Sequence, residues 1–325
     1  MRMTSRNLAI AMVSVWLGTV AACRRNGAVQ ARPLKLAFVT NTASEFWRVA
    51  AVGIHAYERE ANVQIDVKMP PAGTPEDQNR ILETLASQGY DGLALSVAAP
   101  NDQLPLLNRI AAHTKIVTID SDAPRSARLL YIGTNNFKAG RLLGESIVRL
   151  LPHGGKLAVF VGTLAADNAA ERLAGLTEAI AHHSIEIIDR REDHTDRARA
   201  RSNVEDMMNA HPDLDVAVGL WSYNGPAIAA AIEAMGKIGR VRGAVFDEEP
   251  GTWEGIQNGA IALALVQSSY EFGYLASKWI HTLARDGEGA LAAVPKSRVI
   301  ETRVEVITRD NLTAHQQQLA DQRNR

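Results

Sequence analysis

The chain has 325 residues, of which 22% are charged and 5% aromatic, and a formal net charge of −1. That length favours two lobes or domains of roughly 100–200 residues over one small core, and the near-neutral charge supplies no global field for nucleic acid or an anionic membrane. A single cysteine, Cys23, excludes an intramolecular disulfide framework and any multi-cysteine metal site.

Residues 1–22 read as an export signal, with Arg2 and Arg6 in a positive n-region, an uncharged apolar run from Leu8 to Val20, and small residues Ala21 and Ala22 closing it. The run is about 15 residues, short of the roughly 20 needed to span a bilayer. Val20-Ala21-Ala22-Cys23 resembles a bacterial lipobox, which implies a lipidated Cys23 and a polar tether over residues 23–33. A plain signal peptide with an incidental cysteine, or a signal anchor, are the alternatives.

From Leu34 short apolar runs alternate with longer amphipathic ones, the pattern of βαβ units and a parallel sheet. Strands are predicted at 34–39, 63–69, 92–97 and 116–120, with helices at 46–61, 76–88 and 105–113 between them. The first helix places Val49, Val52, Ala56 and Tyr57 at helical spacing. A second series follows without a Gly-, Ser- or Pro-rich linker. Its strands are predicted at 129–132, 156–161, 185–189, 216–220, 241–246 and 261–267, its helices at 138–150, 169–182, 197–210, 226–235, 251–259 and 270–286. Residues 299–307 alternate polar and apolar, as one strand crossing between lobes would.

The expected fold is therefore α/β: two Rossmann-like lobes with parallel sheets. In open parallel sheets a ligand site lies beyond the carboxyl ends of the strands. Those ends carry Thr40, Asn41, Ser44, Phe46 and Trp47, then Ser96, then Asp120 and Ser121. In the second half they carry Asn168 and Arg172, Thr195, the segment from Trp221 to Asn224, Asp247 and Gln267. Planar polar groups interleaved with aromatics suit a polyhydroxylated ligand: adjacent sugar hydroxyls pair with carboxylate, amide and guanidinium groups while an aromatic face covers the C–H patch.

The segments "KLAFVTNTASEFW", "GYDGLALSV", "KIVTIDSD", "YIGTNNFKAGRLLGE", "GGKLAVFVG", "AAERLAGLTEAI", "NAHPDLDVAVGLWSYNGPA", "AVFDEEP" and "NGAIALALVQ" together resemble the periplasmic sugar-binding proteins of the ribose-binding type, whose fold is shared with lac repressor-like regulators. The resemblance runs from about Leu34 to Ile307. It implies a type I periplasmic binding fold with a three-segment hinge that closes on a sugar and passes it to an ATP-driven permease. The family's aromatic pair falls on Phe46 and Trp47, and its ligand-binding aspartates on Asp120 and Asp247. Its helix-borne arginine falls on Arg172 and its crossover glutamine on Gln267. Ser44 and Ser96 stand where asparagine is common, Ser121 where the ribose type has arginine, and Trp221 where asparagine is expected, with Asn224 nearby. These departures point away from ribose. The implied division is 34–134 plus 268–296 for the first lobe and 135–267 plus 297–309 for the second. The pivots fall near Thr134, Gln267 and Pro295, and 310–325 forms a polar, frayed tail.

Other features read as ordinary structure. "HGGK" at 153–156 precedes a strand, not the helix a phosphate loop needs, and the scattered histidines lack metal-ligand spacing. Asp193, His194 and Asp196 read as a solvated loop, and Glu45, Glu248 and Glu249 as solvated or capping acids. No catalytic residue, cofactor, metal or nucleic-acid partner is expected. The function implied is sugar capture for an ABC permease from the periplasm or cell envelope. A sensor for a membrane receptor is the alternative, and a lac repressor-like regulator would need a DNA-binding headpiece that residues 1–32 do not supply.

Overall fold

The computed structural model describes residues 32–71 and 73–323; the signal segment, Cys23 and most of the tether lie outside them. The first series runs β1 (Leu36–Val39), α1 (Glu45–Ala61), β2 (Ile65–Lys68), α2 (Pro75–Ser87), β3 (Gly92–Leu95), α3 (Leu104–Ala111), β4 (Lys115–Ile119) and β5 (Leu130–Gly133). The second runs α4 (Asn136–Leu150), β6 (Gly155–Val161), α5 (Asp167–Ile180), β7 (Ile185–Glu192), α6 (Arg197–Ala210), β8 (Val216–Gly219), α7 (Asn224–Ala234), β9 (Arg242–Phe246), α8 (Pro250–Asn258) and β10 (Ile261–Gln267). Then come α9 (Ser269–Asp286), a 3-10 turn (Glu288–Ala293), β11 (Val299–Glu301), β12 (Val304–Ile307) and α10 (Leu312–Arg323).

Two six-stranded sheets result, ordered β11-β5-β4-β3-β1-β2 and β12-β10-β9-β8-β6-β7. Every pairing is parallel except β10 with β12. Helices cover both faces, so β1, β3, β5 and β8 are buried at every position and read as continuous apolar runs. The helices start where the sequence supplies caps. Thr74 Oγ1 accepts from the Asp77 amide at 3.2 Å just before Pro75, and Asn135 Oδ1 accepts from the Lys138 amide at 3.0 Å.

The chain crosses between the sheets after β5, after β10 and between β11 and β12. α9 returns to the first sheet, packing Phe272, Ala276, Ile280 and Leu283 against Leu36, Phe38 and Ile54. The stretch expected as one crossing strand is two. Val299–Glu301 pairs in parallel with Tyr131–Gly133 in the first sheet, whereas Val304–Ile307 runs antiparallel to Ala264–Gln267 in the second. The third crossing therefore falls at Thr302–Arg303, not near Pro295, and 297–301 leave the second lobe for the first.

The polar tail is also corrected, because residues 312–323 form a helix. Leu312 is buried in the second lobe's core, and His315 lies against the Trp253 ring (5.5 Å) with Nε2 3.3 Å from Glu248 Oε2. Glu248 is accordingly buried, not solvated. A tail without an apolar stripe is held here by Leu312 in the core and by His315 against Glu248 and Trp253.

In each lobe one helix pair crosses on glycines. A Cβ at Gly140 would lie 2.0 Å from the Arg172 carbonyl oxygen, and one at Gly175 2.0 Å from that of Phe137, so α4 and α5 touch backbone to backbone. Gly53 and Gly273 do the same for α1 and α9, at 2.1 Å and 1.9 Å. The α4–α5 contact fixes where the arginine of the site emerges.

Candidate functional site

The carboxyl ends of the two sheets face each other across a cleft. Four residues at those ends, Asp120, His194, Thr195 and Asp247, take left-handed backbone angles with φ of 55°, 54°, 66° and 63°. Asp tolerates this conformation better than most side chains, whereas a β-branched Thr is strained in it. Such strain persists where the surrounding structure enforces it, commonly at ligand sites.

An inner cavity of about 470 Å³ is lined from the first lobe by Asn41, Ser44, Phe46, Trp47 and Asp120. Asn168, Arg172, Thr195, Trp221, Asp247 and the crossover residue Gln267 line it from the other side. A second cavity of about 800 Å³ continues from it, sharing Asn41, Asp120, Asn168 and Trp221 and adding Ser121. Twelve of the fourteen expected ligand residues therefore converge on one cleft. The remaining two, Ser96 and Asn224, are wholly buried behind its wall as supports. Ser96 Oγ donates to Asp120 Oδ2 at 3.0 Å, and Asn224 Oδ1 accepts from the Trp221 amide at 3.1 Å.

The aromatics play unequal parts. Trp47 is only 2% exposed, edge-on to Phe38 and Phe46, with Nε1 donating to Asn41 Oδ1 at 2.9 Å. It shapes the wall and orients Asn41. Trp221 is half-buried; its ring lies over Gly162, where a Cβ would be 2.1 Å from Cζ3, and its Nε1 donates to Asn168 Oδ1 at 3.2 Å.

Electrostatics centre on Arg172, which is 2% exposed. Its Nε donates to Asn136 Oδ1 at 2.9 Å, one Nη donates to the Leu220 carbonyl at 2.6 Å, and the guanidinium stacks over Phe246 at 4.0 Å. Among the described residues its other N–H donors meet no protein acceptor. Burial lowers its pKa, opposed by Asp247 and Asp120, which still form no ion pair with it within 4 Å. Burial raises both carboxylates in turn, against the pull of Arg172; Asp120 is pushed up to about 6. Gln267 Nε2 donates to Asp247 Oδ1 at 2.8 Å, and the Gln267 backbone also hydrogen-bonds this carboxylate.

A buried carboxylate whose pKa rises on folding weakens the fold above its ordinary pKa, since the native state then binds the extra proton. Apo protein carrying Asp120→Asn is expected to gain stability at neutral pH, by up to roughly 3 kcal/mol from a pKa near 6 against 3.8. The gain should fade as pH falls through 6 towards 4. Melting curves of both proteins across that range check it, and a pH-independent difference contradicts it.

Sequence reasoning missed the supporting network. Asp193, read as part of a solvated loop, is fully buried after β7. Its carboxylate accepts from Tyr223 Oη, from Asn224 Nδ2 at 3.0 Å and from the Thr195 amide at 2.9 Å. Glu249 pairs with Arg197 at 3.1 Å on the cleft rim, and Asn136 holds Arg172. Their position at strand ends was the available signal. Among the described residues no group of three or more His, Cys, Asp or Glu is placed to hold a metal ion.

A family model described as periplasmic binding protein domain matches residues 36–289. The D-ribose/D-allose-binding protein of Pseudomonas aeruginosa is 23% identical over 82% of this chain and 86% of its own length. Among solved structures, a solute-binding protein of an ABC transporter from Burkholderia graminis, in complex with D-arabinose, is 31% identical with a TM-score of 0.80, covering 86% of this chain and 97% of that one. A glucose-galactose binding protein from Geobacillus stearothermophilus is 27% identical with a TM-score of 0.78, over 86% and 99%. With the cleft, the hinge crossings and a match spanning most of the chain, this protein belongs to the periplasmic binding protein family.

Proposed function

We propose that this protein is exported, captures a sugar between its lobes by hinge closure and delivers it to an ABC permease. The observation that carries the reading is Arg172, buried at the cleft base between Asp120 and Asp247 with hydrogen-bonding capacity left open on all three. Vicinal hydroxyls both donate and accept, so one sugar can satisfy the guanidinium and both carboxylates together. It does so only when both lobes reach it. Binding therefore shifts the population towards the closed state, without covalent chemistry. The relatives' ligands, D-ribose, D-allose, D-arabinose, glucose and galactose, make pentoses and hexoses the first class to test.

Thermal shifts of the chain from Arg24 onward against pentoses, hexoses, disaccharides and polyols test this. A sugar at a hundred times its Kd should add about 2.7 kcal/mol to stability. Asp247→Ala should remove the shift, because it deletes one of the two acceptors flanking Arg172. A panel without any response, or a response that survives Asp247→Ala, overturns the reading.

The same proposal places the protein in the cell envelope through a lipid on Cys23, with residues 24–33 as tether. The support is the order of charged, apolar and small residues before a lone cysteine. Cys23→Ala should move the protein from the membrane fraction to the soluble one. Unchanged fractionation would remove the anchor.

A further inference from the structure

The second-lobe wall of the inner cavity hangs on one carboxylate that lies behind it. Asp193 is wholly buried one residue beyond β7, where its amide donates to the Val161 carbonyl at 3.0 Å and extends the pairing with β6. Its Oδ1 accepts from the Tyr223 hydroxyl and from the Thr195 amide at 2.9 Å, and its Oδ2 accepts from Asn224 Nδ2 at 3.0 Å. Asn224 in turn accepts from the Trp221 amide at 3.1 Å. One side chain thus ties the loop after β7 to the loop after β8, and Thr195, Trp221 and Tyr223 all line the cavity. The bond to Thr195 holds that residue at φ 66°, a left-handed angle that a β-branched side chain resists.

Stability alone does not explain this choice of residue. All three donors are neutral, so the carboxylate carries a desolvation cost that an apolar side chain of its size would avoid. What it supplies is geometry, because both of its oxygens accept and neither donates. An amide at 193 would have to turn its NH2 either on that of Asn224 or on the Thr195 N–H. Burial, and then Asp193 itself, push the Tyr223 pKa up, so the phenol stays a donor.

The wall so held has no room to yield. The Trp221 ring lies on Gly162, where a Cβ would be 2.1 Å from Cζ3 and 2.8 Å from Tyr223 Oη, and Trp221 Nε1 is tied to Asn168 Oδ1 at 3.2 Å. An aromatic face accepts the C–H side of a sugar ring. An epimer that turns a hydroxyl towards that face leaves the hydroxyl unpaired unless the ring can retreat. We propose that Asp193 is a positioning residue that sets the choice among sugar epimers, by fixing Trp221 and Thr195 against the ligand. The inference rests on the sugar-binding reading above and names the group behind its selectivity.

Calorimetry on the chain from Arg24 onward tests it with three epimer pairs: D-ribose and D-arabinose, D-glucose and D-galactose, D-glucose and D-allose. Where another sugar of the broader panel binds instead, that sugar and its epimer form the pair. Asp193→Asn should weaken the better member by roughly tenfold or more and bring the ratio of the two affinities towards one. Adding Asn224→Asp to it should restore both, because the amide at 193 then donates to the carboxylate at 224, whose other oxygen accepts from the Trp221 amide. Asn224→Ala cuts only the link from Asp193 to the Trp221 amide; it should lower the ratio in the same direction, and it stands in where Asp193→Asn does not fold. A fall in melting temperature with the ratio unmoved makes Asp193 structural and overturns the inference while sugar capture stands. An exchange variant that recovers melting but not the ratio does the same, as do equal affinities for both members of every pair in the unsubstituted protein. If no sugar binds the unsubstituted protein, sugar capture fails and this inference with it.

Discussion

Arg172→Met is expected to abolish sugar binding while leaving the fold nearly as stable as before. Methionine keeps an apolar stem over Phe246 but removes the charge that lies between Asp120 and Asp247. Without the guanidinium the ligand loses charge-assisted hydrogen bonds worth about 1.5–3 kcal/mol each, on the order of a hundredfold or more in affinity for two of them. Unfolding responds differently because the arginine is itself costly to bury, as its lowered pKa records. Deleting it relieves that cost, which offsets the acceptors left empty on Asn136 and Leu220. Asp120 and Asp247 would also take up protons more readily, which neutralises them in the apo protein. Titration calorimetry with a sugar that stabilises the unsubstituted protein, beside apo melting curves, separates the two effects. Retained affinity would show that Arg172 does not touch ligand. A large fall in apo stability would make it a structural residue instead.

The residues that proved legible in the sequence were those governed by local rules. Central strands such as Leu36–Val39 and Val216–Gly219 are covered on both faces, so their apolar runs stand out. Asp120 and Asp247 could be found because strand ends in parallel sheets are where ligands bind, and Arg172 because the resemblance supplied its position. What was not legible depends on long-range partners. Asp193 lies beside His194 and Asp196 and looks like a solvated loop, but Tyr223 and Asn224, some thirty residues on, bury it. Ser96 and Asn224 have the right chemistry and the right loops, yet Asp120 takes up the first, and the Trp221 amide and Asp193 the second, before a ligand can. The stretch from Val299 to Ile307 reads as one strand although three consecutive polar residues, Glu301 to Arg303, interrupt its alternation, and its pairing with Tyr131 on one side and Leu265 on the other divides it between the sheets. The tail helix lacks the apolar stripe by which a packed helix announces itself; Leu312 at its start and His315 on Glu248 hold it instead.

Gly175→Val is expected to cost about 3 kcal/mol or more of stability and to weaken ligand binding as well, although residue 175 touches no ligand. A Cβ there would lie 2.0 Å from the Phe137 carbonyl oxygen and 2.7 Å from the Arg141 amide nitrogen; both are backbone, so the whole of α4 must retreat from α5. At 2–4 °C per kcal/mol for a protein approaching this size, melting should fall by roughly 6–12 °C. The site suffers because the two helices carry its central hydrogen bond: Asn136 opens α4 and Arg172 sits on α5. Separating them frees the guanidinium from Asn136 and returns to it the rotamer freedom that packing had removed, so part of the binding energy goes into ordering it again. Gly289→Ala is the matched control. Its new Cβ meets nothing within 4 Å, and its melting and affinity should stay at the unsubstituted values. If Gly175→Val lowers stability but leaves affinity intact, the α4–α5 contact supports the lobe alone. If it changes neither, the two helices can move apart without strain, and Arg172 is positioned by Phe246 and Leu220 instead.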